Sequence, residues 1–471
     1  MSVTAHFLTS EFLNPRSTAA DNYSERKRVM YTVGLYTLGC KVSQYETEAI
    51  AEKFESCGFR VCAFEETNDV YVINTCTVTA ESDRKCRQII RRAAKKNPNA
   101  VIAVVGCYSQ RSPEQILAID GVKIVVGTQN KLSIVEKAID ALSARDKGQE
   151  YQKTAEVADV FAADFEPMKI TKAPRTRAYV KIEDGCEARC TYCAISMARG
   201  RVRSKLPHDV IEEVRSLART GVREVVLTGI ETGSYGKDFD YDYRLADLIC
   251  DLYKLGCCER IRLGSLAPEL IGEQFVEKVK DVKILAPHFH LSLQSGSDKV
   301  LKDMKRRYTA ARALENIERL RLAFPGANFT TDLMVGFPGE TEEDFLLTER
   351  IVREARLLDA HVFTYSKRSG TPAASYPHQI PESEKKSRSE RLIATKNEVR
   401  DSILSELVES KKPLSAILET MGADGLYTAH SDAFVELLVD VGDRGTDMCG
   451  QMVRVTPVSH KDGIVVAKLL L

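Results

Sequence analysis

The sequence predicts an α/β protein in three parts: a doubly wound parallel α/β domain, a partial (β/α)6 TIM-like barrel and a small antiparallel β-barrel of the oligonucleotide-binding sort. Three observations carry this. Short apolar runs alternate with amphipathic stretches from residue 31 to about 366, as buried parallel strands alternate with covering helices. The alternation pauses at a polar stretch, 146–175. After residue 410 it gives way to short strands broken by Gly and Asp turns.

In the first part, TVGLYTL (32–38), DVYVINT (69–75), AVIAVVG (100–106) and KIVVG (123–127) read as strands, with amphipathic stretches at 43–56 and 79–96 between them. Residues 146–175, with Pro167 and Pro174, read as a linker. In the second part the strands are AYVKIE (178–183), EVVLTGI (224–230), RIRLGSL (261–266 and flanks), FHLSLQS (289–295), FTTDLMVG (329–336) and AHVFTYS (360–366). Helical patterns at 208–220, 243–255, 268–280, 309–323 and 341–357 separate them, and 381–410 is a charged helix. LSAILET, LYTAHS, FVELLVDV, QMVRVTPVS and GIVVAKLL supply the strands of the last part.

With 67 basic and 67 acidic residues the chain is neutral and no general polyanion binder, so contact with nucleic acid has to come from local patches. Thirteen cysteines without a secretory segment point to a reducing, cytoplasmic setting, where thiols serve metals more than disulfides. No apolar run reaches the ~18 residues of a membrane span. Residues 1–29 are rich in Ser, Thr, Asn and Asp and read as a disordered tail, with Met30 as a second possible start.

Cys186, Cys190 and Cys193 form a CxxxCxxC triplet just after the first strand of the second part. Four-iron clusters normally take four cysteines, so three leave one iron open for chemistry. Structural zinc is the competing reading, and it needs a fourth ligand nearby; the next histidine is His208. Cys40, Cys76 and Cys107 are far apart in sequence, yet each directly follows a predicted strand (LYTLGC, YVINTC, AVVGC). In an open parallel sheet such ends share a crevice, where the three would hold a second cluster. The competing reading is three cysteines buried for packing. Cys57, Cys62, Cys86, Cys250, Cys257, Cys258 and Cys449 show no such order and are assigned to packing.

With both sets placed, TLGCKVSQYETE, VINTCTVT, GCYSQ, DGCEARCTYC, LTGIETGSYG, LSLQSG, DLMVGFPGE and FTYSKRSGTPAA resemble blocks of the radical S-adenosylmethionine methylthiotransferases. The resemblance runs from about residue 31 to the C-terminus. It implies a cluster-binding domain (30–145), a linker (146–175), a radical core (176–405) and a TRAM barrel (408–471). TLGCKV is similar to the branch acting on threonylcarbamoyladenosine at tRNA position 37; the isopentenyladenosine branch tends toward YGCQMN and a ribosomal-protein branch toward LGCPKN. Ser43 in place of Asn and Glu231 in place of His depart from the pattern.

The resemblance implies two 4Fe–4S clusters, one on Cys186, Cys190 and Cys193 and an auxiliary one on Cys40, Cys76 and Cys107. It implies S-adenosylmethionine beside Tyr192, Gly229, Ser265, Gln294 and Asp332, and no protein acid or base. Its partners would be the tRNA anticodon loop, an electron donor such as flavodoxin or ferredoxin, and a sulfur donor. A two-cluster RNA-binding redox sensor without turnover is the alternative from another class. For RNA, the basic helix 84–96 and the loop ARGRVRSK (198–205) are candidates, the latter through Arg199, Arg201, Arg203 and Lys205.

Overall fold

Parallel strands covered on both faces have to be apolar throughout, and this demand organises the first domain. The computed structural model describes residues 30–173, 176–256, 258–442 and 447–470; the expected tail, 1–29, and Cys257 lie outside the described residues. Six strands form the first sheet: β1 (Thr32–Thr37), β2 (Arg60–Cys62), β3 (Val70–Thr75), β4 (Val101–Gly106), β5 (Val122–Val126) and β6 (Thr154–Glu156). All pair in parallel in the order β2-β1-β3-β4-β5-β6, and β3 and β4 are buried at every residue.

Helices α1 (Lys41–Ser56), α2 (Ala80–Lys96), α3 (Cys107–Arg111), α4 (Pro113–Leu117) and α5 (Ser133–Asp146) connect these strands. Helix α2 is well specified: the Thr79 side chain accepts from the Ser82 N–H, Glu81 and Asp83 occupy the first turn, and Lys95 and Lys96 the last. Phe54 and Ile50 of α1 belong to one core cluster, Ile90 and Cys86 of α2 to another. The sheet is therefore covered on both sides.

The edge strands β2 and β6 lie outside the sequence expectation, because both are three-residue runs with little burial. Strand β6 falls inside the expected linker, whose other described residues are no loose connection; Pro174 lies outside the described residues. Met168 and Ile170 are buried in the main core. Glu166 pairs with buried Lys131 at 3.0 Å, and the Val160 and Met168 carbonyls accept from Arg203 and Lys205. Composition reads this stretch as irregular because its partners are distant in sequence.

The central domain contributes β7 (Arg177–Lys181), the short antiparallel pair β8 (Glu183–Asp184) and β9 (Arg203–Ser204), then β10 (Glu224–Thr228), β11 (Arg260–Leu263), β12 (Ser265–Leu266), β13 (His288–Gln294), β14 (Asn328–Val335) and β15 (Asp359–Thr364). Its parallel strands run β7-β10-β11 and β12-β13-β14-β15. Only Gly264 separates β11 from β12, and a Cβ there would stand 2.7 Å from Thr232 Oγ1, so one glycine lets the strand bend while the curve continues. Six strand positions result, as the β/α alternation predicts. Its buried side chains and those of α1 and β1 form one continuous cluster.

The 29-residue helix Glu382–Ser410 packs on β15 and leads into the C-terminal strands β16 (Leu414–Met421), β17 (Tyr427–Ser431), β18 (Glu436–Asp440), β19 (Met452–Lys461) and β20 (Ile464–Leu469). These close into a barrel in the order β16-β17-β18-β20-β19. The expected antiparallel arrangement needs one correction. β18 and β20 pair in parallel, because the chain passes through β19 before returning beside β18. Among the described residues no helix is long and apolar enough to cross a membrane.

Candidate active site

The CxxxCxxC loop leaves β8 and ends at helix α6 (Ile195–Arg199). Its middle is tied down from two sides: the Thr191 N–H and Oγ1 donate to the carbonyls of Met304 and Asp303, and the Ala373 N–H donates to the Thr191 carbonyl. Cys186, Cys190 and Cys193 thereby line one cavity of about 570 Å3, at the carboxyl ends of the curved sheet. Such a volume suits a cofactor-sized ligand.

Tyr192, Gln294 and Asp332 line the same cavity. Gln294 ends β13 with φ +65°, a left-handed backbone rare outside glycine, at a register shift against β14. Asp332 faces His290 at 3.3 Å; burial works to raise its carboxyl, but the His290 hydrogen bond and nearby positive charge hold it below the usual range. Gly229 and Ser265 are not on the wall. A Cβ on Gly229 would stand 2.5 Å from Glu183 Oε2, so that glycine makes room for a buried carboxyl, and Ile230, Glu231 and Ala267 face the cavity instead.

Arg306 and Glu231 also line the wall; Arg306 carries no sequence signal for a role, and Glu231 stands out in the sequence only as a departure from the family pattern. Arg306 Nη1 donates to Cys190 Sγ at 3.5 Å and Nη2 to the Ser292 carbonyl at 2.9 Å, with the guanidinium over the Tyr308 ring. Glu231 Oε1 accepts from the Ala267 N–H at 2.9 Å, yet burial pushes its carboxyl up to about 7. A carboxyl whose folded value exceeds its unfolded one costs stability as pH rises from the unfolded through the folded value. Glu231→Gln is therefore expected to raise the melting temperature relative to wild type, by an amount that grows between about pH 4.5 and 7 and is constant above. Paired thermal melts across that range check this; a pH-independent difference would refute it.

Cys40, Cys76 and Cys107 follow β1, β3 and β4, three adjacent strands, at the point where the sheet order reverses. A Cβ on Gly39 would stand 3.4 Å from Cys76 Cβ. Burial first, and then the neighbouring Cys107, push the Cys76 thiol up to about 12. Burial raises Cys186 to about 12 and Cys193 to about 11, so each needs a metal or a cation to become a thiolate. Among the described residues no three His, Cys, Asp or Glu side chains converge on one metal ion. Three thiols of one loop on one wall, Cys186, Cys190 and Cys193, are a donor set of the type that ligates iron–sulfur clusters. Val78 and Thr79, just beyond Cys76, line the cavity with the CxxxCxxC loop.

The two domains are clamped beside this cavity. Arg368 Nη2 donates to Thr77 Oγ1 at 2.6 Å and Asp83 Oδ2 at 2.7 Å, Arg111 Nη2 to the Ser369 carbonyl at 2.7 Å, and the Ala80 N–H to Ser366 Oγ at 3.1 Å.

The basic loop needs correction. Arg199, Arg203 and Lys205 are buried, paired with Glu46 and Asp184, with Asp184, and with Glu213 respectively. They are unavailable to RNA, and Arg201 is the exposed member. Packing also fails as the account of two other cysteines: Cys86 and Cys258 are buried, but Cys57 and Cys449 are exposed.

Comparison with known proteins agrees with this architecture. Residues 180–365 match the radical SAM superfamily, and residues 32–127 match "Uncharacterized protein family UPF0004". The chain is 41% identical to the threonylcarbamoyladenosine tRNA methylthiotransferase MtaB of Bacillus subtilis (strain 168), over 90% of this chain and 93% of that one. It is 33% identical to a tRNA-2-methylthio-N(6)-dimethylallyladenosine synthase of Thermoanaerobacter pseudethanolicus, over 86% and 88%. Among solved structures, the radical S-adenosylmethionine methyltransferase TsrM from Kitasatospora setae shares the fold with a TM-score of 0.53, at 15% identity over 74% of this chain and 77% of that one.

Proposed function

We propose, for a chain that belongs to the MtaB family of radical SAM tRNA methylthiotransferases, that it adds a methylthio group at adenine C2 of N6-threonylcarbamoyladenosine, at position 37 of tRNA. Membership of the radical SAM superfamily brings a 4Fe–4S cluster and S-adenosylmethionine. Bound together, these supply the radical chemistry that a strong, non-acidic C2–H bond requires.

The observation that carries the proposal is the shared cavity, lined both by Cys186, Cys190 and Cys193 and by the chain just past Cys76. In this reading the first three hold the radical cluster, and Cys40, Cys76 and Cys107 hold a second one that bears the sulfur to be transferred. Arg306 holds the Cys190 sulfur in place through its Nη1 hydrogen bond. Tyr192, Gln294 and Asp332 position S-adenosylmethionine; Gly229 and Ser265 support the wall from behind.

Helix α2 starts at the cavity residue Thr79 and exposes Lys85, Arg91, Lys95 and Lys96 along its length. With Arg201, these supply phosphate contacts that draw an anticodon loop toward the opening. The enzyme acts in the cytoplasm, with electrons from a flavodoxin or ferredoxin.

Nucleoside mass spectrometry of a strain lacking the gene tests the reading. The 2-methylthio derivative of threonylcarbamoyladenosine is expected to vanish while its precursor accumulates. An unchanged profile sinks the activity, and loss of the isopentenyl derivative instead reassigns the substrate.

A further inference from the structure

Resting on the two-cluster reading above, we infer that Arg199 is a positioning residue for the auxiliary cluster: its guanidinium stabilises the sulfur of Cys107 and sets the potential at which that cluster takes up an electron. Arg199 is fully buried, and its Nε donates to Cys107 Sγ at 3.2 Å. The other end of the fork is fixed by carboxylates, Nη1 donating to Glu46 Oε1 at 2.5 Å and Asp184 Oδ2 at 3.1 Å, and Nη2 to Glu46 Oε2 at 3.1 Å. A bidentate guanidinium held on one edge presents its remaining N–H in a single direction. Here that direction is the thiol.

The charge balance of the surroundings points the same way. Arg199, Lys181, Lys131 and Arg203 face Glu46, Asp184 and Glu166 in one buried network, four cations against three carboxylates. The adjacent Lys205–Glu213 pair is balanced in itself. Among the described residues Glu183 makes no ion pair, and burial above all pushes its carboxyl well above the ordinary range. One positive charge is therefore in excess, and the group that Arg199 offers it to is Cys107. A metal-bound thiolate closes the balance, and an added electron on the cluster stays beside a guanidinium in a medium of low dielectric. Hydrogen bonds and net charge at the sulfurs are established levers on cluster potentials.

The arrangement also ties the two triads together. Arg199 closes α6, which begins two residues after Cys193, so the loop that holds one triad carries the hydrogen-bond donor to the other. Arg306 stands to Cys190 as Arg199 stands to Cys107.

The test uses full-length protein in which Cys186, Cys190 and Cys193 are all replaced by Ala, reconstituted anaerobically so that only the auxiliary cluster loads. Iron content and the midpoint potential, from a redox titration followed by electron paramagnetic resonance, are then compared in two variants. Arg199→Gln is expected to shift the potential in the negative direction and Glu46→Gln in the positive direction. Iron-loaded variants that both keep the parent potential, or both shift the same way, overturn the inference. If Arg199→Gln alone fails to load iron, Glu46→Gln decides: a positive shift supports the inference and none overturns it. A triple-alanine parent that binds no iron overturns the two-cluster reading and this inference with it; an unshifted potential in a loaded protein overturns this inference alone.

Discussion

Anaerobically reconstituted Cys76→Ala protein is expected to hold roughly four irons where the wild type holds roughly eight, and to release deoxyadenosine from S-adenosylmethionine while forming no methylthio product. Cys76 follows a strand buried at every residue, and its thiol shares the crevice of Cys40 and Cys107. The CxxxCxxC loop is anchored through Thr191 to Met304, Asp303 and Ala373, with no support from Cys76. Losing one half-buried sulfur disturbs little of the fold and leaves that loop in place. The two activities should therefore separate. Iron content unchanged from wild type would sink the assignment of Cys76 as a ligand, and loss of deoxyadenosine release would sink the independence of the two triads.

Glu224→Ala is expected to destabilise the protein by about 3–5 kcal/mol, the usual result of stripping a buried cation of its partner. Glu224 is fully buried at the start of β10 and receives Arg260 at 3.0 Å and Arg262 at 2.8 Å. Burial works to raise its carboxyl, but these arginines outweigh that and hold it below the usual range. The same arginines dock the C-terminal barrel. Arg260 donates to Ser415 Oγ, Arg262 to the carbonyls of Ser431 and Asp432, and Arg262 lies over the Phe434 ring at 5.1 Å. Without Glu224, two buried guanidiniums repel each other across the barrel's seat. Thermal denaturation should show a markedly lower midpoint; a midpoint within about 1 °C of wild type would contradict the account.

The sequence made the strand ends legible because the apolar runs are continuous and each cysteine directly follows one. Cys40, Cys76 and Cys107 could be grouped by that placement although at least thirty residues separate each from the next. The short edge strands β2 and β6 were illegible for the opposite reason, since three residues at a sheet margin bury too little to show a pattern. The run from Ala198 to Lys205 misleads most. Four cations in eight residues look like an RNA-contacting patch, but Glu46 and Glu213, which pair with Arg199 and Lys205, arrive from α1 and from the helix Pro207–Arg219. Arg306 escaped notice because its neighbours Lys305 and Arg307 are equally basic, and only the fold aims one of the three at a sulfur.

The clamp through Arg368, Arg111 and Ser366 has a consequence for the nucleic acid. It joins the walls of the chamber in the RNA-free protein. An adenine that is to reach this chamber, as the proposed function requires, has to swing out of its stack and enter, at an unstacking penalty of a few kcal/mol. An unpaired loop, whose bases are already partly splayed, lowers that penalty, whereas a regular duplex would impose it in full.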